Sequence, residues 1–257
     1  MKICIDAGHT LGSNPSPANP DYKEGTRMFE LQKYLKAALE RFGFEVVCTR
    51  TAVTDNPSLY ERGMAAKGCE LLLSLHSNAV ANERNDTVDY VRVIYPVTRK
   101  GQVLARELSE TVASVMGTSQ QPQYVVRWNS AGDADYYGVI RYAAQAGTVG
   151  MILEHSFHTQ LRAANWLLSD ENLKQLALAE ASLLAEYYGM EVPEVRYELL
   201  KDIKSEFYRP TIEKLLDLGI LQGRGGRDSD TVIDLGEDAV RLLVMLDRAG
   251  VFDGKKP

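Results

Sequence analysis

Apolar segments of strand length alternate with amphipathic segments of helix length along most of the chain. Four continuous apolar runs and one alternating run predict strands, and apolar side chains at three- and four-residue spacings predict helices between them. The predicted strands are 2–8, 44–49, 70–76, 90–96 and 149–157, and the predicted helices are 24–42, 58–67, 101–116 and 170–188. This order predicts an α/β fold in which a mostly parallel sheet carries helices on both sides.

Polar residues stand at the ends of three of these strands. His9 follows the first strand, His76 closes the third, and Glu154 closes the last, which we expect to be central. Ligands bind outside the carboxyl ends of the strands in open sheets of this kind. Glu24 begins the helix that follows a loop rich in Pro, Asn and Ser at 13–21. We therefore expect these four side chains to form one site.

The chemistry of the four residues indicates a zinc hydrolase. Two imidazoles and a carboxylate hold a catalytic zinc with one position open for water, and a second carboxylate provides the base. Taken alone, His76 is better explained as a hydrogen-bonded core histidine, and Glu24 as a carboxylate favoured at a helix start. Glu154 is harder to explain structurally, because a carboxylate at the end of an apolar strand is costly to bury without a partner.

Five sequence pieces in register carry a resemblance to a known family. They are DAGH at 6–9, Glu24, Thr49-Arg50 followed by Leu59 and Arg62, SLHSNA at 74–79, and ILEHSFHT at 152–159. Together they resemble the zinc-dependent N-acetylmuramoyl-L-alanine amidases of the amidase-3 type over nearly all of residues 1–189.

This resemblance implies a twisted sheet flanked by helices, and cleavage of the amide between the lactyl group of N-acetylmuramic acid and L-alanine in peptidoglycan. It implies Zn²⁺ as cofactor with His9, Glu24 and His76 as metal ligands, and Glu154 as the catalytic residue. The family pattern is not followed at 155–159, where many members have a glycine and a Phe-hydrophobic-Ser-Asn run, nor at 81–88, where a glycine-rich continuation is usual.

Four further residues have open roles. His155 and His158 either orient the metal ligands and the catalytic glutamate, or have solvent-facing or capping roles. Arg141 either reaches a substrate carboxylate or forms an ion pair that supports the loop before the central strand. Asp6 either holds His9 in place or only caps the turn. Arg141, His155 and Asp6 are the candidates for substrate contact or for support of the ligands.

Charge and cysteine usage exclude some classes of protein. The net charge of −6 argues against a nucleic-acid partner, whose binding relies on neutralised phosphates. The three cysteines Cys4, Cys48 and Cys69 each lie in an apolar run and have no metal-binding spacing, so we expect buried thiols in a reducing compartment. The first residues lack the apolar region of a signal peptide, and no segment predicts membrane insertion.

The chain changes character after residue 189. A Pro-containing stretch at 190–196 predicts a linker, and 197–257 predicts a small helical domain with amphipathic helices near 212–220 and 235–246. The segment contains FYRPTIEKLLDLGILQGRGG at 207–226 and EDAVRLLVMLDRAGVF at 237–252. With these stretches it loosely resembles one S-layer-homology-like repeat, which implies binding to a cell-wall polymer of a Gram-positive host. The alternative is an inert helical domain for stability or for dimerisation. Since one such repeat seldom makes a complete site, a homodimer through this domain is a further hypothesis.

The sequence thus predicts a catalytic domain at residues 1–189 and a wall-binding module, with no leader. This layout predicts a phage or prophage endolysin that stays in the cytoplasm until it is released to the cell wall. A bacterial autolysin with the same chemistry is the alternative origin. Two other classes stay open: a zinc peptidase or deacylase acting on a different amide, and a non-catalytic wall-binding protein.

Overall fold

The structure is a computed structural model that describes residues 1–190, 196–203, 205, 208–225 and 228–253. The chain divides into two compact units, Met1–Val192 and Pro193–Pro257. Most of the predicted linker at 190–196 lies outside the described residues. Each unit is considered by itself.

Six strands form the sheet of the first unit, in the order β2-β1-β3-β6-β4-β5. All neighbouring strands are parallel except β4 and β6, which are antiparallel. The mostly parallel sheet predicted from the sequence is thus confirmed. The strands are β1 (Lys2–Ala7), β2 (Glu45–Cys48), β3 (Leu71–Asn78), β4 (Arg92–Ile94), β5 (Gln123–Val125) and β6 (Val149–Phe157).

Helices cover both faces of this sheet, as predicted. Successive side chains of a strand point to opposite faces. Ile3 and Ile5 accordingly pack in the larger apolar core, whereas Cys4 packs in the smaller one. The larger core includes residues of α1, α3 and α6, and the smaller one includes residues of α4. The helices are α1 (Glu24–Arg41), α2 (Leu59–Met64), α3 (Gln102–Met116), α4 (Gly138–Gln145), α5 (Leu161–Leu168) and α6 (Asp170–Tyr187).

Local sequence signals explain where some of these helices begin. Ser58 and Glu61 form a capping box at the start of α2, in which each side chain binds the other residue's backbone N–H. Gly101 precedes α3 with φ 78°, a conformation in which glycine is favoured. Three elements of the first unit were not predicted: β5 has three residues, and α4 and α5 have eight each. Elements this short carry little periodicity.

One detail of the sequence prediction was wrong. His76 and Glu154 do not close their strands, since β3 continues to Asn78 and β6 to Phe157. The pairing of β3 with β6 shifts in register just after these two residues.

The second unit contains the predicted helices and a small sheet that was not predicted. Strand β7 (Arg196–Leu199) pairs antiparallel with β8 (Val232–Gly236), and the helices are α7 (Arg209–Asp217) and α8 (Glu237–Arg248). Leu200, Ile203, Ile212 and Val240 form its apolar core. The described helices of the whole chain include none that is long and apolar enough to cross a membrane.

Candidate metal centre

The structure brings His9, Glu24 and His76 together at the carboxyl edge of the sheet. One ligand atom from each residue lies within 4.8 Å of the other two. Glu24 Oε1 is 3.0 Å from His76 Nδ1, and Glu24 Oε2 is 3.3 Å from His9 Nε2. The two imidazole rings meet edge to face, with their centroids 4.9 Å apart. These three side chains can converge on a single cation without rearrangement of the backbone.

The tight turn after β1 sets the position of both histidines. Gly8 passes so close to His76 that a Cβ built on Gly8 would lie 2.3 Å from His76 Cε1. His9 follows with φ 62°, a left-handed conformation that is uncommon for a residue other than glycine. Two buried arginines hold this turn: Arg62 donates to the carbonyl oxygens of Ala7 and His9, and Arg50 donates to those of Ala7 and Gly8.

Glu24 is buried and surrounded by donors. Its Oε1 accepts a hydrogen bond from the backbone N–H of Ser77 at 3.0 Å, and its Oε2 accepts one from Asn14 Nδ2 at 2.8 Å. Burial acts to raise the pKa of Glu24, but the hydrogen bonds and charges of His76 and His9 outweigh it and hold that pKa well below its usual value. Glu24 is therefore an anionic ligand at neutral pH.

The same contacts act on His76 in the opposite direction. Burial acts to lower its pKa, but the hydrogen bond with Glu24 and the charges of Glu24, Glu154 and Asp6 raise the pKa to about 9. A metal ion needs the imidazole unprotonated, so metal binding at this site would displace a proton.

Glu154 lies beside His76, opposite it in the pairing of β3 with β6. Its side chain is half-buried, and its Oε2 is fully enclosed without a hydrogen-bond partner among the described residues. Burial is the main reason that the pKa of Glu154 rises to about 7, and the negative charge of Glu24 adds to it. A carboxyl group with that pKa can take up and release a proton near neutral pH.

A cavity of about 310 Å³ opens over this cluster. His9 and His76 form part of its wall, and Leu59, Arg62 and Val139 form other parts. This volume lies at the lower end of the range typical of small-molecule sites.

Three of the four residues with open roles, Asp6, Arg141 and His155, have no hydrogen bond to a ligand atom of the cluster, and the fourth, His158, has its Nδ1 3.9 Å from Glu24 Oε2. The carboxylate of Asp6 is bound by Arg62 Nη1 at 2.7 Å and by the hydroxyls of Thr49 and Ser74, so it anchors the arginine that supports His9. Arg141 Nη1 donates to two backbone carbonyls at 2.6 and 2.7 Å and thereby supports the loop before α4.

His155 is fully buried on the opposite face of β6 from Glu154. Its Nδ1 is 2.8 Å from the carbonyl oxygen of His76, and its Nε2 is 2.8 Å from Glu180 Oε1. It thus supports the strand that carries His76. Sequence reasoning did not single out Glu180, Asn14 or Ser77, since only the fold brings residues so distant in sequence to the cluster.

Comparison with known proteins identifies the family of the chain. The family model Amidase_3, described as N-acetylmuramoyl-L-alanine amidase, matches residues 3–185. The chain belongs to this family. None of the curated proteins compared with the chain is significantly similar to it in sequence.

Several solved structures share the fold. An N-acetylmuramoyl-L-alanine amidase from Clostridium difficile 630 matches with a TM-score of 0.61 at 21% identity, covering 73% of this chain and 96% of that one. The catalytic domain of CwlV from Bacillus (Paenibacillus) polymyxa matches with a TM-score of 0.61 at 18% identity, covering 74% and 99%. Cwp6 from Clostridium difficile matches with a TM-score of 0.61 at 19% identity; 72% of this chain is covered, but only 29% of Cwp6.

The close contact between Gly8 and His76 predicts that Gly8→Ala disrupts the centre. The added methyl group would overlap the imidazole of His76 and push it away from Glu24. We expect the affinity for a divalent metal, measured by isothermal titration calorimetry, to fall at least about tenfold.

Gly132→Ala is the matched control for this variant. Gly132 has φ 73° and open space around its Cα, so the substitution should strain the backbone by about 1 kcal/mol without moving the ligands. Metal affinity of Gly8→Ala equal to that of the parent protein would show that the imidazole does not depend on this contact.

Proposed function

We propose that the chain is a zinc-dependent hydrolase that cleaves the amide between N-acetylmuramic acid and the L-alanine of the stem peptide in peptidoglycan. One observation carries the proposal: His9, Glu24 and His76 converge beside Glu154, whose enclosed oxygen has no partner among the described residues. Membership of the N-acetylmuramoyl-L-alanine amidase family supports the choice of substrate.

The donor set fits zinc. Two imidazole nitrogens and one carboxylate oxygen form a ligand set of catalytic zinc sites and leave a coordination position for water. When bound, zinc would lower the pKa of a coordinated water and polarise the carbonyl of the scissile amide. The low pKa of Glu24 supports its role as the anionic member of the set.

Glu154 is the group that accepts and donates the proton in this reaction. Its carboxylate takes a proton from the attacking water as the new C–O bond forms, and it gives that proton to the amide nitrogen as the C–N bond breaks. The products are a free lactyl carboxylate and a free L-alanine amine. A pKa of about 7 suits both transfers, because the group then accepts and donates a proton at similar cost near neutral pH.

Other assignments differ in substrate or in biological origin. A zinc peptidase or deacylase would use the same ligands and the same base on another amide, since the site fixes the reaction type better than the substrate. A phage endolysin and a bacterial autolysin are two hypotheses of origin with one chemistry. If the chain were a non-catalytic wall-binding protein, its metal centre would no longer catalyse a reaction.

For the second unit, we propose binding to a cell-wall polymer. A cavity of about 730 Å³ in this unit is lined by three leucines and by polar and charged side chains, including Arg209, Glu213 and Asp217. Such a module would keep the enzyme close to its insoluble substrate and raise the local concentration. Self-association is the other hypothesis for this unit, and it has support in the exposed apolar side chains of Leu242 and Met245 on α8.

Metal removal tests the cofactor and the bond that is cut. We expect purified Gram-positive sacculi to release stem peptides with a free L-alanine amine, as measured by mass spectrometry. Chelation should abolish this release and added Zn²⁺ should restore it. New reducing sugar ends in place of free amines would contradict the proposed bond, and full activity after verified metal removal would contradict the cofactor.

Replacement of the base separates catalysis from metal binding. Glu154→Gln keeps the size of the side chain but cannot take up the proton of water, so release of stem peptides should fall about a hundredfold to ten-thousandfold. Metal content, measured by atomic emission, should stay at the parent level. Glu110→Gln, an exposed residue on α3, is the control and should retain full activity. Undiminished hydrolysis by Glu154→Gln would remove this residue from the mechanism.

A substitution of Arg209 tests the wall-binding proposal. In the inactive Glu154→Gln protein, Arg209→Ala should lower the fraction that sediments with purified walls about threefold to tenfold, because an interaction of a charged donor with a polymer is lost. The control is Arg248→Ala in the same Glu154→Gln background, since Arg248 is exposed on α8. This control should sediment as the Glu154→Gln protein does. Equal sedimentation of both variants would place wall binding outside this cavity.

A further inference from the structure

A second cleft, of about 570 Å³, adjoins the candidate metal centre on its Asn14 side. Asn14 links the two, because it lines the cleft while its Nδ2 is 2.8 Å from Glu24 Oε2 and 3.1 Å from His9 Nε2. The cleft lies between two loops and is lined by residues of the segments 14–17 and 79–82 and by His158. Its volume is within the range of about 300–1,000 Å³ that is usual for ligand sites.

His158 presents a fixed and unused ring nitrogen to this cleft. Its side chain is about 95% buried, and its Nδ1 is 2.9 Å from both the carbonyl oxygen and the Oγ of Ser77. A carbonyl oxygen only accepts, whereas a hydroxyl can accept or donate, so a hydrogen on Nδ1 satisfies both contacts. The ring also stacks on Tyr22 at 5.8 Å, which fixes its plane.

The other ring nitrogen, Nε2, has no hydrogen-bond partner among the residues that the structure describes. Among the described residues, His158 Nε2 is not one of the fully enclosed side-chain atoms that lack a partner, so it is accessible. Because His158 lines the cleft and its Nδ1 is bound to Ser77, Nε2 is the ring nitrogen available to a ligand there. A ring nitrogen held this way is set to accept a hydrogen bond from a ligand.

Hydrogen bonds hold both walls of the cleft to the segment that carries His158. Ser16 Oγ donates to the carbonyl oxygen of His158 on one side. On the other side, the backbone N–H of His158 donates to Asn78 at 2.8 Å, and that of Val80 donates to Thr159 Oγ1 at 3.2 Å. The cleft is therefore preformed, which reduces the entropic cost of binding.

The lining has the chemistry of a site for an uncharged, polar ligand. It offers two carboxamides, one imidazole nitrogen and small apolar surfaces, and none of its described side chains is Lys, Arg, Asp or Glu. The proposed substrate has two arms: a stem peptide that bears carboxylates, and a glycan strand that bears hydroxyl and acetamido groups. Carboxylates are recognised best by Arg or Lys, so the lining favours the glycan.

We propose that this cleft binds the glycan arm of the substrate, with His158 Nε2 accepting a hydrogen bond from a sugar hydroxyl or an acetamido N–H. The inference rests on the proposed function for the identity of the substrate. The carboxamides of Asn14 and Asn82 would pair with acetamido groups, and the prolines and alanines would contact the apolar faces of the sugar rings.

Binding of a peptide-free sugar tests this without relying on hydrolysis. The probe is the uncharged tetramer of N-acetylglucosamine, titrated into the full chain and followed by calorimetry and by NMR of the 79–82 backbone. His158→Asn retains a donor near the position of Nδ1 but lacks Nε2, so affinity for the tetramer should fall about threefold to tenfold. Asn82→Ala should weaken binding to a similar extent, and Gln121→Ala, exposed and outside both cavities, should bind as the parent does.

The outcomes separate this proposal from the proposed function. Binding of the tetramer with perturbations at 79–82 supports the glycan site even if no stem peptide is ever released. Absence of tetramer binding, or perturbation of the same residues by a free stem peptide but not by the tetramer, would overturn it. Loss of bound metal in His158→Asn would mean that this residue acts on Glu24, and Asn82→Ala would then decide the matter.

Discussion

The buried carboxylate of Glu24 is the interaction on which the arrangement of the site depends. An ionised carboxylate taken out of water is strongly destabilising unless donors compensate it. Here the donors come from distant parts of the chain: Ser77 from β3, Asn14 from the first loop, and the two histidine rings. Satisfying this charge therefore fixes the start of α1 against the ends of β1 and β3. The same contacts that make burial tolerable place three ligand atoms together.

Close backbone packing makes this arrangement possible. The turn at Gly8 leaves no room for a side chain beside His76, and the next residue, His9, adopts a left-handed conformation. Buried arginine side chains satisfy the carbonyl oxygens that this turn leaves outside the sheet. Arg62 is in turn neutralised by Asp6, so that a buried ion pair stabilises the loop carrying His9. In this way a structural network with no contact to a ligand atom determines the geometry of the site.

Much of the fold could be predicted from the sequence because periodicity is a local property. The long helices α1, α3 and α6 and the apolar strands carry enough repeats to be recognised, whereas β5, α4 and α5 are too short for that. The convergence of His9 and His76 follows from the topology of parallel sheets. The contacts of Asn14, Ser77 and Glu180 could not be predicted, because each depends on a side-chain partner separated from it by a loop, a helix or a strand. The β7–β8 pair was missed for a related reason, as short paired strands far apart in sequence leave no periodic signal.

The two carboxyl groups of the site differ in what surrounds them, and this difference assigns their roles. Glu24 has donors on both oxygens and a pKa held well below its usual value, so it stays anionic and suits a metal ligand. Glu154 has an enclosed oxygen without a partner among the described residues, and burial raises its pKa to about 7. Environments that separate the pKa values of neighbouring carboxyl groups in this way distinguish a proton-transfer group from one that stays charged. Since the negative charge of Glu24 itself raises the pKa of Glu154, the ligand helps to tune the base, and neither environment could be changed without altering the other.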